Sequence, residues 1–142
     1  MKKKIFISSD HAGFKLKEHI KIYLKRKKLN FEDCGPYNED RADYPDFAHK
    51  VSKKVKTDKS NVGILICGSG TGMAISANKT KGIRAAVGYS LKSTQLSRQH
   101  NNANILCIGS RLTKKKDISK IVSVFLITKF DGGRHKRRIK KI

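Results

Sequence analysis

Tryptophan is absent from this chain of 142 residues, and only six phenylalanines and four tyrosines supply aromatic surface. Proteins that grip single-stranded nucleic acid stack bases on such rings, so their scarcity argues against that class. Cysteine is also sparse. Cys34, Cys67 and Cys107 make an odd set with no CxxC pair and no Cys/His ligand spacing. The pattern argues against a disulfide framework or a metal site, and for a reducing, cytoplasmic setting. No apolar run approaches the ~20 residues of a membrane span. Behind the basic start Met1–Lys4, the apolar stretch Ile5–Ser9 is too short for the core of a signal peptide. The expectation is a soluble, unexported protein with no membrane partner.

Acidic residues are the remaining shortage: 11 against 33 lysines and arginines, a net charge of +22. Such a balance is the footprint of a phosphate-backbone binder. It is equally what a lysine coat on outer helix faces and a basic tail produce. The stretch 134–142 carries six positive charges, leaving +16 spread along the rest. The excess belongs to no single arm, and no specific nucleic-acid partner is expected.

What is present is a regular alternation. Lys4–Ser9 reads as a first strand. Phe14–Lys28 follows as a helix, with Leu16, Ile20, Tyr23 and Leu24 at helical spacing and lysines between them. Leu29–Asp33 is a second strand, closed by the turn signal Cys34-Gly35-Pro36. Tyr44–Val55 is helical behind Pro45, with Phe47, Val51 and Val55 four apart. Val62–Cys67 is a continuous apolar run, the type buried on both faces of a parallel sheet. A glycine-rich turn, Gly68-Ser69-Gly70-Thr71-Gly72, leads into a helix over Met73–Lys79. Ile83–Gly88 and Asn104–Gly109 are further strands, with a helix at Leu91–His100 between them. A last helix around Ile118–Phe125 ends before Gly132-Gly133. The chain therefore reads as one α/β domain over 1–142, a three-layer sandwich on a five-stranded parallel sheet. In such sheets ligands sit beyond the carboxyl ends of the strands.

Three phosphate motifs fail. No Gly-Lys-Ser/Thr triplet follows a strand, which excludes a Walker A loop, and Met73 stands where a dinucleotide fingerprint needs its last glycine. Met73 also occupies the place where a phosphotyrosine-phosphatase loop needs arginine. What remains is Cys67 at a strand end, followed by a loop whose N–H groups can converge on an anion. A thiol there is favoured as its thiolate, the basic form. The competing reading is a small buried hydrophobe ending a core strand. Cys107, inside an apolar strand, is core. His11 follows the first strand beside Asp10, and His100 lies in the unusually polar stretch 97–102. His19 and His49, among lysines, read as surface residues. Arg134 and Arg138 are four apart and, on a helix, could grip one phosphate; the alternative is a solvated basic terminus.

These segments resemble the ribose-5-phosphate isomerase B family, whose relatives include galactose-6-phosphate isomerase subunits. The resemblance runs from SSDHAGFKLK at the start through DYPDFA (43–48) and GILICGSGTGMAISANK (63–79). It continues through GIRAAV (82–87), LSRQHNNANILCIGSR (96–111) and FDGGRHKRR (130–138). It implies a Rossmann-like sandwich that forms a homodimer, with a dimer of dimers as the alternative, with sites built across the subunit interface and no cofactor. By motif it makes Cys67 the general base and His100 the residue that opens the furanose ring. Asp10 and His11 take sugar- and phosphate-proximal positions, and Gly68, Ser69, Gly70, Thr71 and Gly72 the anion hole. Asn101, Arg111, Arg134 and Arg138 become substrate-binding residues, with Tyr44 lining the pocket. The basic segment 130–142 would then contribute to the site. The implied reaction converts D-ribose 5-phosphate to D-ribulose 5-phosphate through an enediolate, a step of pentose phosphate metabolism. A hexose 6-phosphate, allose or galactose, is the alternative substrate, to be decided by pocket length around Tyr44, Tyr89 and Ser90.

Overall fold

A computed structural model describes residues 3–142. The strands are β1 (Ile5–Ser9), β2 (Phe31–Asp33), β3 (Val62–Cys67), β4 (Ala85–Val87) and β5 (Ile105–Gly109). They form one parallel sheet in the order β2-β1-β3-β5-β4. The three central strands are buried along their whole length, which is why they read as unbroken apolar runs. The two edge strands are three residues each, shorter than their sequence patterns suggest, because each has a ladder partner on one side only.

The described residues hold six helices: α1 (Phe14–Arg26), α2 (Tyr44–Val55), α3 (Thr71–Ala77), α4 (Leu91–Asn101), α5 (Lys115–Ile127) and α6 (Arg134–Ile139). Alternation along β3 sorts its side chains into two cores. Ile64 and Ile66 pack with Ile20 and Leu24 of α1 and Ile118, Ile121, Val122 and Phe125 of α5. Leu65 and Cys67 face the other way, toward Val51 and Val55 of α2 and Met73 and Ala77 of α3. Period-two geometry thus aims the Cys67 sulfur at the layer that its own loop enters as α3. No helix among the described residues is long and apolar enough to cross a membrane.

The chain runs outward from β1 to β2, then crosses back over β1 to reach β3. The winding direction reverses between β1 and β3, which opens the crevice where such sheets take ligands. Register sets Ser9 beside Ile66 and Cys67 beside Gly109, so the exits of three strands lie together at the carboxyl edge.

One side chain departs from the amphipathic reading of α1. Lys17, expected among the outer lysines, is fully buried. Its Nζ donates to Asp33 Oδ1 at 2.7 Å and to the Pro36 carbonyl at 2.5 Å, and lies 5.3 Å over the Phe14 ring. Burial would push the Asp33 carboxyl up. Hydrogen bonds from Lys17, Lys21 and the Gly35 N–H outweigh it and hold that carboxyl below the ordinary 3.8. The network ties α1 to the end of β2 and the start of the 34–43 loop. Its electrostatic support is complete above the unfolded-state value and is lost as pH falls through the lower folded-state value. Wild-type stability is therefore expected to drop on acidification below about pH 4, and Asp33→Asn to flatten that drop in urea titrations. Lys17→Met, which breaks the buried pair, is expected to cost about 3 kcal/mol at neutral pH.

Candidate active site

At the carboxyl edge, Cys67 ends β3 nearly covered in a single copy, with 4% of its surface exposed. Its Sγ accepts the Gly70 N–H at 3.1 Å, a bond that a charged sulfur accepts better than a thiol. Gly70 makes this turn at φ 78, a left-handed conformation that a side chain would strain. The N–H groups of Gly68, Ser69 and Gly72 meet no acceptor among the described residues, which leaves them free for an incoming oxyanion. Thr71 spends its N–H on Ser69 Oγ at 3.2 Å.

The surrounding chain is drawn in tightly. Ser110 N–H donates to the Cys67 carbonyl at 2.8 Å and Arg111 N–H to the Gly68 carbonyl at 3.0 Å, so the exit of β5 wraps across that of β3. The Arg111 guanidinium lies over Gly68, where a Cβ would stand 2.7 Å from Nη1. The Tyr44 ring lies against Gly72, where a Cβ would come within 2.7 Å. Glycine at these two places admits a cation on one side of the loop and an aromatic wall on the other. Asp10, 6% exposed, turns Oδ1 to the Gly13 N–H at 3.0 Å and so shapes the entry to α1. His11 is exposed, and its Nδ1 sits 3.3 Å from the Ala42 N–H, just before Tyr44. Cys67, Gly68–Gly72, Asp10, His11, Tyr44 and Arg111 thus form one cluster at the switch point. Cys107 is fully buried, and desolvation followed by the neighbouring Cys67 pushes its thiol far up. It is a core residue.

The other expected residues are elsewhere. α4 leaves the carboxyl edge at Ser90 and returns antiparallel, so His100 and Asn101 lie at the amino edge, shortly before β5 begins. Five residues of β5 span roughly 16 Å, and this length separates the two ends. Arg98 and the Arg84 side chain hold the close of α4 there: Arg84 Nε–H reaches the Asn101 and Asn102 carbonyls at 2.9 and 3.1 Å. The segment after Gly132-Gly133, read in sequence as a basic tail, forms the short helix α6. His135 stacks on His100, centroids 4.4 Å apart and 13° between planes. His100, Asn101, His135, Arg138, Ile139 and Ile142 line a cavity of about 280 Å³. Desolvation, then the charges of His100, Arg134 and Arg138, holds the His135 imidazole below its ordinary value despite Asp131. His100, Asn101, Arg134 and Arg138 therefore make a second cluster, rich in cations, at the amino edge.

The sequence pattern of the Ribose/Galactose Isomerase family matches residues 5–142. The chain belongs to that family. Within it, a probable ribose-5-phosphate isomerase B of Mycoplasma genitalium is 51% identical over 140 residues, covering 97% of this chain and 92% of the relative. Ribose-5-phosphate isomerase B of Escherichia coli is 42% identical over 140 residues, covering 99% and 94%. The crystal structure of ribose-5-phosphate isomerase B from Mycoplasma genitalium with bound ribulose-5-phosphate matches with a TM-score of 0.94 at 50% identity, covering 99% of this chain and 94% of that one. The family's fold is thus the Rossmann-like parallel sandwich found here.

Three contributors to this isomerase architecture escaped the sequence reading. His135 stood inside the FDGGRHKRR segment without being singled out, although it follows Arg134 directly. Lys17 looked like any lysine between apolar positions. Arg84, within GIRAAV, carried no local sign that its guanidinium reaches the close of α4.

Proposed function

We propose that this chain interconverts D-ribose 5-phosphate and D-ribulose 5-phosphate, in a site that two copies of the chain complete together. The observation that carries the reading is the Cys67 sulfur under the Gly70 N–H, flanked by free loop N–H groups, Arg111 and Tyr44. A base beside an oxyanion cradle is what moving a carbonyl between C1 and C2 requires. Cys67 thiolate takes the C2 proton and returns it to C1. The 68–72 N–H groups stabilise the enediolate, each such donor typically contributing ~3 kcal/mol. His100, acting as a general acid and base, opens the furanose ring first. No cofactor enters these steps.

Cys67 and His100 stand at opposite ends of one sheet, so one copy cannot present both to a single pentose. A two-fold homodimer, in which the same patch serves both partners, brings one copy's amino edge to the other's carboxyl edge twice over. Arg134 and Arg138 of the second copy then hold the phosphate while Asp10, His11, Asn101 and Arg111 orient the sugar. A dimer of dimers is compatible with the same site. The cysteine usage supports a cytoplasmic setting.

A coupled assay on ribose 5-phosphate, allose 6-phosphate and galactose 6-phosphate tests the substrate. The pentose is expected to have the highest kcat/KM; a hexose phosphate ahead of it would overturn the assignment. Arg134→Gln and Arg138→Gln are each expected to raise KM for ribose 5-phosphate by roughly tenfold or more, the usual effect of losing a charged hydrogen bond. Steady-state kinetics on the two variants check this.

A further inference from the structure

A cavity of about 780 Å³ lies at the amino edge of the sheet, outside the residues that the isomerisation uses. Lys3, Lys56, Lys59, Lys81, Arg84 and Arg98 all line it. Its one carboxylate, Asp58, is engaged locally: Oδ1 accepts the Ser60 N–H at 2.7 Å and the Ser60 hydroxyl at 2.6 Å. Among the described residues, no ion pair joins any of the six cations to a carboxylate; the acidic partners serve Lys4, Lys15, Lys17, Lys21 and Lys54 instead.

Two of the cations are held rigidly. Arg84 uses its Nε–H on the Asn101 and Asn102 carbonyls, and its two terminal NH₂ groups meet no acceptor among the described residues. Arg98 is fixed by Nε–H to the Thr128 carbonyl at 3.2 Å and by Nη1 to Asn102 and Ala103, leaving Nη2 free. Burial, and then the charge of Arg84, pushes the Arg98 guanidinium down, and burial followed by Arg98 does the same to Lys3. Like charges gathered in a concavity without counter-charge raise its free energy, and a multiply charged anion relieves that repulsion. Planar guanidinium groups with free N–H edges match phosphate oxygens in particular. The volume falls within the usual ~300–1,000 Å³ of small-molecule sites. Ser60, Gly82 and Asn104 also line it, and a site of this volume suits a compact ligand better than a nucleic-acid strand lying along a stripe.

We propose that this cavity is a second anion site, which binds a small molecule carrying two or more linked phosphates. Lys56, Lys59 and Lys81 on its rim supply charge, while Arg84 and Arg98 supply directed hydrogen bonds at its floor. The site uses none of the residues assigned to the sugar-phosphate reaction.

Calorimetric titration of the full chain with inorganic tripolyphosphate at physiological salt tests it. Saturable binding of one ion per chain is expected, unaffected by saturating ribose 5-phosphate. The variant K56Q/K59Q/K81Q is expected to bind at least tenfold more weakly, with unchanged kcat and KM for ribose 5-phosphate. A control that removes equal charge from the exposed start of α5, K115Q/K116Q/K120Q, is expected to keep wild-type affinity. Four results would overturn the site: no saturable binding, displacement by ribose 5-phosphate, equal weakening in both triple variants, or no weakening in the rim variant. Tighter binding of a 12-nucleotide RNA than of tripolyphosphate, lost in the rim variant, would overturn it in favour of a nucleic-acid surface.

Discussion

Cys67→Ala is expected to lower kcat on ribose 5-phosphate by about 10²–10⁴-fold, the usual contribution of a positioned general base. Two features of the structure make the effect large. The sulfur receives the Gly70 N–H and stands at the mouth of the loop, and Cys107, the next thiol in the same core, is too deeply desolvated to replace it. The substitution removes one atom at a site already flanked by α3, so the fold is expected to survive it. A thermal melt close to that of wild type, together with the kinetic loss, separates chemistry from folding. Proton exchange at C2 gives a sharper readout: the variant should no longer release deuterium from C2-labelled substrate into water, whether the sugar enters cyclic or open. A variant that kept a tenth of wild-type turnover would sink the base assignment. Cys67→Ser is expected to stay equally inactive, because a serine hydroxyl keeps the shape but holds its proton far too tightly at neutral pH.

Mixing two dead variants should restore activity. His100→Asn, which spares Cys67, is expected to fail chiefly at ring opening and so to be nearly inactive on cyclic substrate. If each site takes Cys67 from one copy and His100 from the other, a heterodimer of Cys67→Ala with His100→Asn contains one doubly damaged site and one intact site. Random pairing makes half the dimers mixed, so a co-expressed sample should recover about a quarter of wild-type activity while each variant alone stays near background. Sites confined within single chains predict no recovery. The reason to expect sharing is geometric: α4 runs antiparallel to the strands and delivers His100 to the edge opposite Cys67. The histidine stack with His135 places α6, and with it Arg134 and Arg138, on the same side as His100. In the proposed dimer, contact would therefore bring the proposed ring-opening group and phosphate grip as one unit.

How much of this was legible in advance differs from element to element. The central strands were plain because burial on both faces demands unbroken apolar runs, and Val62–Cys67 could be read to the residue. The 68–72 turn was legible for the same local reason: glycines before a small-residue helix serve few purposes other than close approach. The helix itself starts at Thr71, earlier than Met73, because the first turn enters the ladder through its backbone carbonyls and makes no demand on side-chain type. The tail was ambiguous. Its composition suited a solvated terminus, and contacts with α4, the imidazole stack and the Asp131 N–H to the Gln99 carbonyl among them, give it a place in the fold.

Lys17 shows where local pattern fails. Its neighbours in sequence are amphipathic, and nothing within α1 indicates that Asp33 and the Pro36 carbonyl wait beneath it. The same holds for the six cations around the amino-edge cavity. Composition reports their charge, but not that their carboxylate partners are absent.

By itself, the sequence determined the sheet, the cysteine at a strand end and the glycine-rich loop behind it, because each follows from periodicity or backbone freedom within a few neighbouring residues. Tertiary structure alone decided that Cys67 and His100 point to opposite edges, that Lys17 is core, and that unpaired cations share one hollow. Those facts depend on which distant segments meet, and the energy of a meeting is written in neither partner separately.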